Sequence, residues 1–155
     1  MNKKRTIRIL DVEEKLRNFK EICRSRGMKI TPQRVAIYRE LLLSKKHPSA
    51  TAIYRKIKDY YPNISLGTVN STLLVFSRLG LATVVESSGE PKRFDANLEP
   101  HHHFKCMKCG KIIDFISDMY DNMTVPAEIE NKYLVLGKKV HLEGLCDKCR
   151  MKAAR

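Results

Sequence analysis

The stretch Ser65-Leu66-Gly67-Thr68-Val69-Asn70-Ser71-Thr72-Leu73-Leu74-Val75-Phe76 decides how the first half of this chain is read. Ser65 can cap a helix in which Leu66, Val69, Leu73 and Phe76 recur every three or four residues, the stripe of a helix buried along one side. Thr68, Asn70, Ser71 and Thr72 supply short polar groups to its outer face. After Leu79-Gly80 the pattern changes. Leu81-Ala-Thr-Val-Val85 is rich in β-branched residues, Ser87-Ser88-Gly89-Glu90-Pro91 reads as a turn, and Lys92-Arg93-Phe94-Asp95 returns, which is a β-hairpin signature.

Upstream of this stretch three more helices are predicted. Val12, Leu16, Phe19 and Cys23 form an amphipathic stripe over Asp11–Arg26, and Gly27 is its natural stop. Thr31-Pro32 opens a second helix running to about Lys45, with Thr31 as cap and Pro32 at the first helical position. His47-Pro48 breaks the chain, Ser49 can cap a third helix bearing Ile53, Ile57 and Tyr60 on one side, and Tyr61-Pro62-Asn63 ends it. Helices followed by a basic hairpin give the order of a winged helix-turn-helix, whose last helix enters the major groove while its wing touches the backbone.

Charge agrees with that order. Of a net +13, residues 1–95 carry 20 Lys/Arg against 9 Asp/Glu (+11), whereas residues 96–155 carry 10 against 8 (+2). An excess confined to one half favours a polyanion, with nucleic acid ahead of membrane. No apolar run is long enough to span a bilayer, and the basic Met1-Asn-Lys-Lys-Arg is not a secretory signal, so a cytoplasmic location is expected.

The second half carries ligand chemistry. Cys106-Met-Lys-Cys109 and Cys146-Asp-Lys-Cys149 have 36 residues between them, and two Cys-x-x-Cys pairs supply the four soft ligands of a closed tetrahedral zinc site. Two disulfides are disfavoured in a reducing compartment. A dithiol redox protein is the rival from another class, and duplication of the pair argues against it. The fifth cysteine, Cys23, reads as a small core residue. If His101–Cys106 is a strand, His101 and His103 face one side, while His102 and Cys106 face the other, leaving His102 solvent-facing. Ser117–Asn131 reads as a helix interrupted at Pro126, with Met119, Met123 and Ile129 as core points. Tyr133–Leu136 and Val140–Leu145 read as strands, with His141 an ordinary strand residue. No persuasive nucleophile–base pair is present, so an enzyme is not expected.

These residues also carry a family resemblance. The runs Lys29-Ile-Thr-Pro-Gln-Arg34, His47-Pro-Ser, Asn63-Ile-Ser-Leu-Gly-Thr-Val69, Arg93-Phe-Asp95, His101-His-His103, Cys106-x-x-Cys109-Gly110-Lys-Ile-Ile-Asp114-Phe115 and Gly144-Leu-Cys146-x-x-Cys149 resemble the ferric uptake regulator (Fur) family of bacterial metal-dependent repressors. The likeness covers nearly the whole chain, in the family's order. It implies an α+β fold, with an N-terminal winged-helix DNA-binding domain over 1–95, a hinge over 96–100, and a small α/β dimerisation and metal-binding domain over 101–155.

It further implies structural Zn(II) on Cys106, Cys109, Cys146 and Cys149. A regulatory Fe(II) or Mn(II) site would use His47, Asp95, His101, His103 and Asp114, a mixed N/O set suited to those ions. The partners implied are a second copy of the chain and a palindromic operator in double-stranded DNA. Candidate DNA contacts are Lys29, Arg34, Ser65, Thr68, Asn70, Ser71 and Lys92.

Asp at position 95, where iron-uptake regulators commonly carry Glu, resembles the peroxide-sensing (PerR-like) branch. That branch implies metal-catalysed oxidation of the residues matching its sensitive ligands, His47 and His101. An iron-uptake repressor sensing Fe(II) by occupancy stays open beside it, as does a zinc-stapled nucleic-acid-binding protein with no sensory role. No cysteine lies between Arg24 and Lys105, which counts against a zinc sensor. Two departures from the family stand out. Thr68-Val69-Asn70-Ser71 replaces a run that usually ends in Tyr, which puts the usual operator in doubt. Lys138-Lys139 stands near where some relatives place a further metal-binding His, so no third site is expected.

Overall fold

The computed structural model describes residues 3–44, 46–85 and 91–153, with side chains described from Asp11 onward. The expected turn over 87–91 lies largely outside the described residues. Contacts divide the chain into two compact units, Met1–Leu98 and Glu99–Arg155.

The first unit contains α1 (Lys3–Ser25), α2 (Pro32–Leu43), α3 (Ala50–Ile57) and α4 (Leu66–Arg78), followed by the antiparallel pair β1 (Thr83–Val85) and β2 (Arg93–Asp95). Each predicted cap is in place. Thr31 Oγ1 accepts from the Arg34 N–H, Ser49 Oγ from Ala52 and Ser65 Oγ from Thr68, satisfying N–H groups that have no partner inside a helix. α1 ends at Gly27, which takes φ +65°, a left-handed conformation costing glycine little, while the Met28 N–H returns to the Cys23 carbonyl at 2.8 Å.

α1 begins at Lys3 rather than near Asp11, because no Gly or Pro interrupts the intervening residues. α2 stops at Leu43, short of Lys45, where Ser44 turns extended. α3 stops at Ile57, so Tyr60 falls in the following turn and is 82% exposed instead of extending the buried stripe. In α4, Val69, Leu73 and Phe76 are buried as expected. Leu66, in the first turn, is largely exposed, and Thr72 is buried rather than outward.

An aromatic trio joins three of these helices. The Phe19 ring stacks on Tyr38 at 4.7 Å, and Phe76 meets both edge-on at 5.3 and 5.4 Å. Burial pushes the Tyr38 hydroxyl up to about 12, so it stays neutral. Cys23 is fully buried beside this core, and burial raises its thiol as well.

The second unit is a three-stranded sheet ordered β4-β3-β5, made of β3 (His102–Cys106), β4 (Ile112–Phe115) and β5 (His141–Gly144). β3 runs antiparallel to β4, with His103 opposite Asp114, and parallel to β5, with Cys106 opposite Gly144. Gly144 lies close under the Phe104 ring, and a Cβ there would stand 3.2 Å from it, so the ring would have to shift to admit a larger residue. Two one-turn helices, α5 (Asp118–Asp121) and α6 (Ala127–Glu130), replace the single interrupted helix, and α7 (Asp147–Ala153) follows β5.

Two expectations for this unit fail. Tyr133–Leu136 forms no strand, since a β-prone run needs a neighbour to supply its ladder and this one pairs with none of the three strands of the sheet. Met119, Met123 and Ile129 are 70%, 48% and 42% exposed rather than in a core. Helices of one turn have no face that reaches across the sheet. No helix among the described residues is long and apolar enough to cross a membrane.

The trio makes a stability prediction. Phe76→Ala should lower the unfolding free energy by about 3–5 kcal/mol, because the cavity left between α1, α2 and α4 cannot collapse fully. Tyr60→Ala should change it by less than about 0.5 kcal/mol. Denaturant unfolding followed by helical circular dichroism checks both. A small loss for Phe76→Ala would mean that the trio does not hold the helices together.

Candidate metal centres and DNA-facing helix

The four cysteine sulfurs of the second unit lie within 4.8 Å of one another. Cys106 ends β3, Cys109 follows in the turn, Cys146 follows β5 and Cys149 lies in α7, so the cluster gathers the ends of three elements. The turn closes with the Gly110 N–H on the Cys106 carbonyl at 2.9 Å, and Gly110 takes φ +68°. Cys109 Sγ and Cys146 Sγ are 3.8 Å apart. Tetrahedral geometry with metal–sulfur bonds of 2.3 Å also separates the sulfurs by about 3.8 Å.

The donor set fits a metal electrostatically. The Cys146 N–H points at Cys106 Sγ at 3.3 Å and, with neighbouring N–H groups, lowers that thiol to about 6. Cys149 is pushed the opposite way, to about 12, by burial and then by the surrounding thiols. A bound cation favours the deprotonated form of every thiol that ligates it. The cysteines are free, not paired as disulfides.

On the same strand, His101 Nε2 and His103 Nε2 approach to 3.0 Å, with Asp114 Oδ1 at 4.0 and 3.5 Å from them. His101 Nδ1 lies 2.6 Å from the Glu99 carbonyl. A proton on Nδ1, donated to that carbonyl, leaves the Nε2 lone pair directed at His103 and Asp114. Two imidazoles and a carboxylate therefore converge within this unit. His141 stands opposite His103 across the sheet, with ring centroids 5.4 Å apart, so it borders this cluster.

His102 is buried rather than solvent-facing. Its Nδ1 accepts the Val140 N–H at 3.2 Å, which leaves the ring proton on Nε2, 3.2 Å from Asp121 Oδ1, and Phe115 and Tyr120 pack around it. Lys138 Nζ donates to the Asp121 and Met123 carbonyls at 2.7 and 2.6 Å, covering the end of α5. Alternation correctly separates His102 from its neighbours, but the residues that cover the far side of the strand, Phe115, Tyr120 and Val140, are distant in sequence.

In the first unit, His47 Nε2 and Asp95 Oδ2 are 3.4 Å apart, both buried. His47 takes φ +46°, a left-handed conformation worth about 1–3 kcal/mol of strain in a residue with a Cβ. Arg93 sustains it. The guanidinium donates through Nε to the His47 carbonyl and through Nη2 to the Lys46 carbonyl at 2.7 Å, while the Phe94 N–H donates to Pro48 at 3.0 Å. Asp95 is oriented by the Asn97 N–H at 2.8 Å. The Arg93 brace was not foreseen. Its signal in the sequence is only adjacency to Asp95.

Of the candidate DNA contacts, Ser65, Thr68, Asn70 and Ser71 lie exposed on or beside the first turns of α4, and Lys29 and Lys92 are exposed. Arg34 is half-buried, and its Nη1 donates to the Lys29 carbonyl at 2.5 Å. Lys46, Lys56 and Arg93 line a cleft of about 670 Å³ with Ser44 and Ser49, cations absent from the expected set.

Comparison with known proteins places this arrangement. The chain is 36% identical over 127 residues to the peroxide-responsive repressor PerR of Staphylococcus epidermidis, covering 82% of this chain and 85% of that protein. To PerR of Staphylococcus aureus strain USA300 it is 33% identical over 147 residues, covering 95% and 99%. Among solved structures, PerR of Streptococcus pyogenes matches at 31% identity with a TM-score of 0.51, covering 86% of this chain and 92% of that one. The ferric uptake regulator Fur of Helicobacter pylori shares the fold with a TM-score of 0.77 at 24% identity, covering 90% and 93%. The family model for the ferric uptake regulators matches residues 25–143, and this chain therefore belongs to the ferric uptake regulator family of metal-dependent transcriptional regulators.

Proposed function

We propose that this protein is a cytoplasmic, homodimeric repressor that binds a palindromic operator when metal-loaded and senses hydrogen peroxide through its own ligand histidines. The observation that carries the reading is the distribution of donors. A buried His47–Asp95 pair sits in the unit with the DNA-facing helix, and His101, His103 and Asp114 converge in the other. Relatives named as peroxide-responsive repressors support it, as does Asp rather than Glu at position 95.

Cys106, Cys109, Cys146 and Cys149 would hold Zn(II) as a closed structural site. His47, Asp95, His101, His103 and Asp114 would hold Fe(II) or Mn(II), making DNA affinity metal-dependent. Fe(II) held there would supply the redox chemistry for reducing hydrogen peroxide. A ring carbon of His47 or His101 would gain one peroxide oxygen while the other leaves as water, a two-electron oxidation of the imidazole. The altered ring no longer presents the same nitrogen lone pair, so the ligand set opens and the DNA is released.

The second copy accounts for the surface of the C-terminal unit. Ile116, Met119, Tyr133, Leu134 and Leu136 are between 64% and 89% exposed, an apolar group of a kind that marks interaction sites. A self-complementary face is what a two-fold dimer and a palindromic operator require.

Elemental analysis should find about one tightly held zinc per chain with four thiols protected from alkylation. Cys106→Ser should lose both zinc and the β3–β5 sheet. Reversible disulfides with little zinc would establish the dithiol alternative instead. Mass spectrometry of the Fe(II)-loaded protein after peroxide should show a single-oxygen addition on the peptides containing His47 or His101, absent from Mn(II)-loaded protein. If neither peptide gains oxygen while Fe(II) still governs DNA binding, the protein is an iron-occupancy repressor. His47→Ala and Asp95→Ala should abolish the metal dependence of DNA binding, and unchanged affinity with and without Mn(II) would leave a zinc-stapled DNA-binding protein with no sensory role.

A further inference from the structure

From Leu66 to Ser77, α4 contains no charged side chain; its first is Arg78, in the last turn. A helix entering the major groove without a cation draws no ion pair from the phosphates through its own side chains before Arg78, which leaves hydrogen bonding, to base edges or phosphate oxygens, as what its short polar groups add. Its outward polar groups are not equivalent. Ser65 Oγ accepts the Thr68 N–H at 3.0 Å and pairs with Thr68 Oγ1 at 2.9 Å, so those two hydroxyls are engaged with each other and with the helix start. Ser71 Oγ donates to the Thr68 carbonyl at 3.1 Å. Asn70 lies between them, exposed, and no other described residue holds its amide. One turn earlier, Gly67 presents no side chain, so bare backbone lies beside Asn70 on the same helix face.

We infer that Asn70 is the principal base-reading residue of α4 and that it reads adenine. A carboxamide presents one acceptor and one donor side by side. In the major groove only adenine offers the matching pair, a donor at N6 beside an acceptor at N7, whereas guanine shows two acceptors there. Exposed cations available to the phosphates, Lys29, Lys46 and Lys92, stand off this helix. Attachment and reading are thereby divided between different elements of one unit. This inference rests on the DNA-binding reading above and names the base that reading leaves open.

The test selects duplexes from a random pool with full-length protein loaded with zinc and Mn(II), comparing wild type with Asn70→Ala. Wild type should enrich sites with an adenine at one fixed position in each half-site. Asn70→Ala should lose discrimination at that position alone, by about 5- to 150-fold, with the dependence of binding on salt unchanged. Replacing that adenine by 7-deazaadenine, which lacks the N7 acceptor, should weaken wild-type binding, a readout that needs no variant, and should leave Asn70→Ala unaffected. If wild type binds DNA but Asn70→Ala keeps its base preference, or weakens binding to all sequences alike, the inference fails while the DNA-binding reading stands. If wild type selects no sequence at all, both fail.

Discussion

The convergence of four sulfurs at Cys106, Cys109, Cys146 and Cys149 is the constraint on which the C-terminal unit depends. Among the described residues its buried apolar cluster consists of Cys106, Cys146 and Cys149 with Phe104 packed against them. A unit this small buries too little carbon to offset the entropy of ordering its chain. A structural zinc in such a site supplies about 10–16 kcal/mol of apparent binding free energy. The hydrogen bonds agree with a site that organises its surroundings. Cys146 donates its N–H to Cys106 Sγ, and Met107 donates to Gly144 at 2.8 Å, so the ends of β3 and β5 are tied at the cluster itself.

Fixing one end of β3 fixes its other end. With Cys106 held against Gly144 and the turn through Gly110 closed, the register sets His103 opposite Asp114 on one side and His141 on the other. Sliding the strand by one residue would exchange His103 for His102 and dissolve the donor cluster, since adjacent side chains point to opposite faces. The soft sulfur site therefore determines whether the mixed nitrogen and oxygen site can exist. The two donor sets differ enough in softness that one ion does not compete evenly for both.

Much of this was legible in the sequence because its causes are local. Thr31, Ser49 and Ser65 each act on an N–H three residues away, and the Cys-x-x-Cys pairs and histidine alternation are equally short-range. What could not be read depends on distant partners. His102 is buried because Phe115, Tyr120 and Val140 close over it, and alternation alone says only that it faces away from His101 and His103. Tyr133–Leu136 has the composition of a strand but no partner strand among the described residues. Thr72 looks polar by type, yet its place on α4 turns it toward the core. Residue pattern gives the face. Only the fold gives what covers it.

The left-handed turn at His47 shows how the DNA-facing unit is prepared for a ligand. A residue with a Cβ stays in that conformation only where its surroundings enforce it, and here β2 does so from one side. Arg93 holds the carbonyls of Lys46 and His47, Phe94 holds Pro48 while its ring is fully buried in the helical core, and Asp95 meets the His47 ring. Three successive residues of the wing strand thus grip the turn, a fixed frame with Phe94 as its anchor. β2 in turn pairs with β1, so the turn, the strand pair and the helical core that holds Phe94 are tied together within one unit.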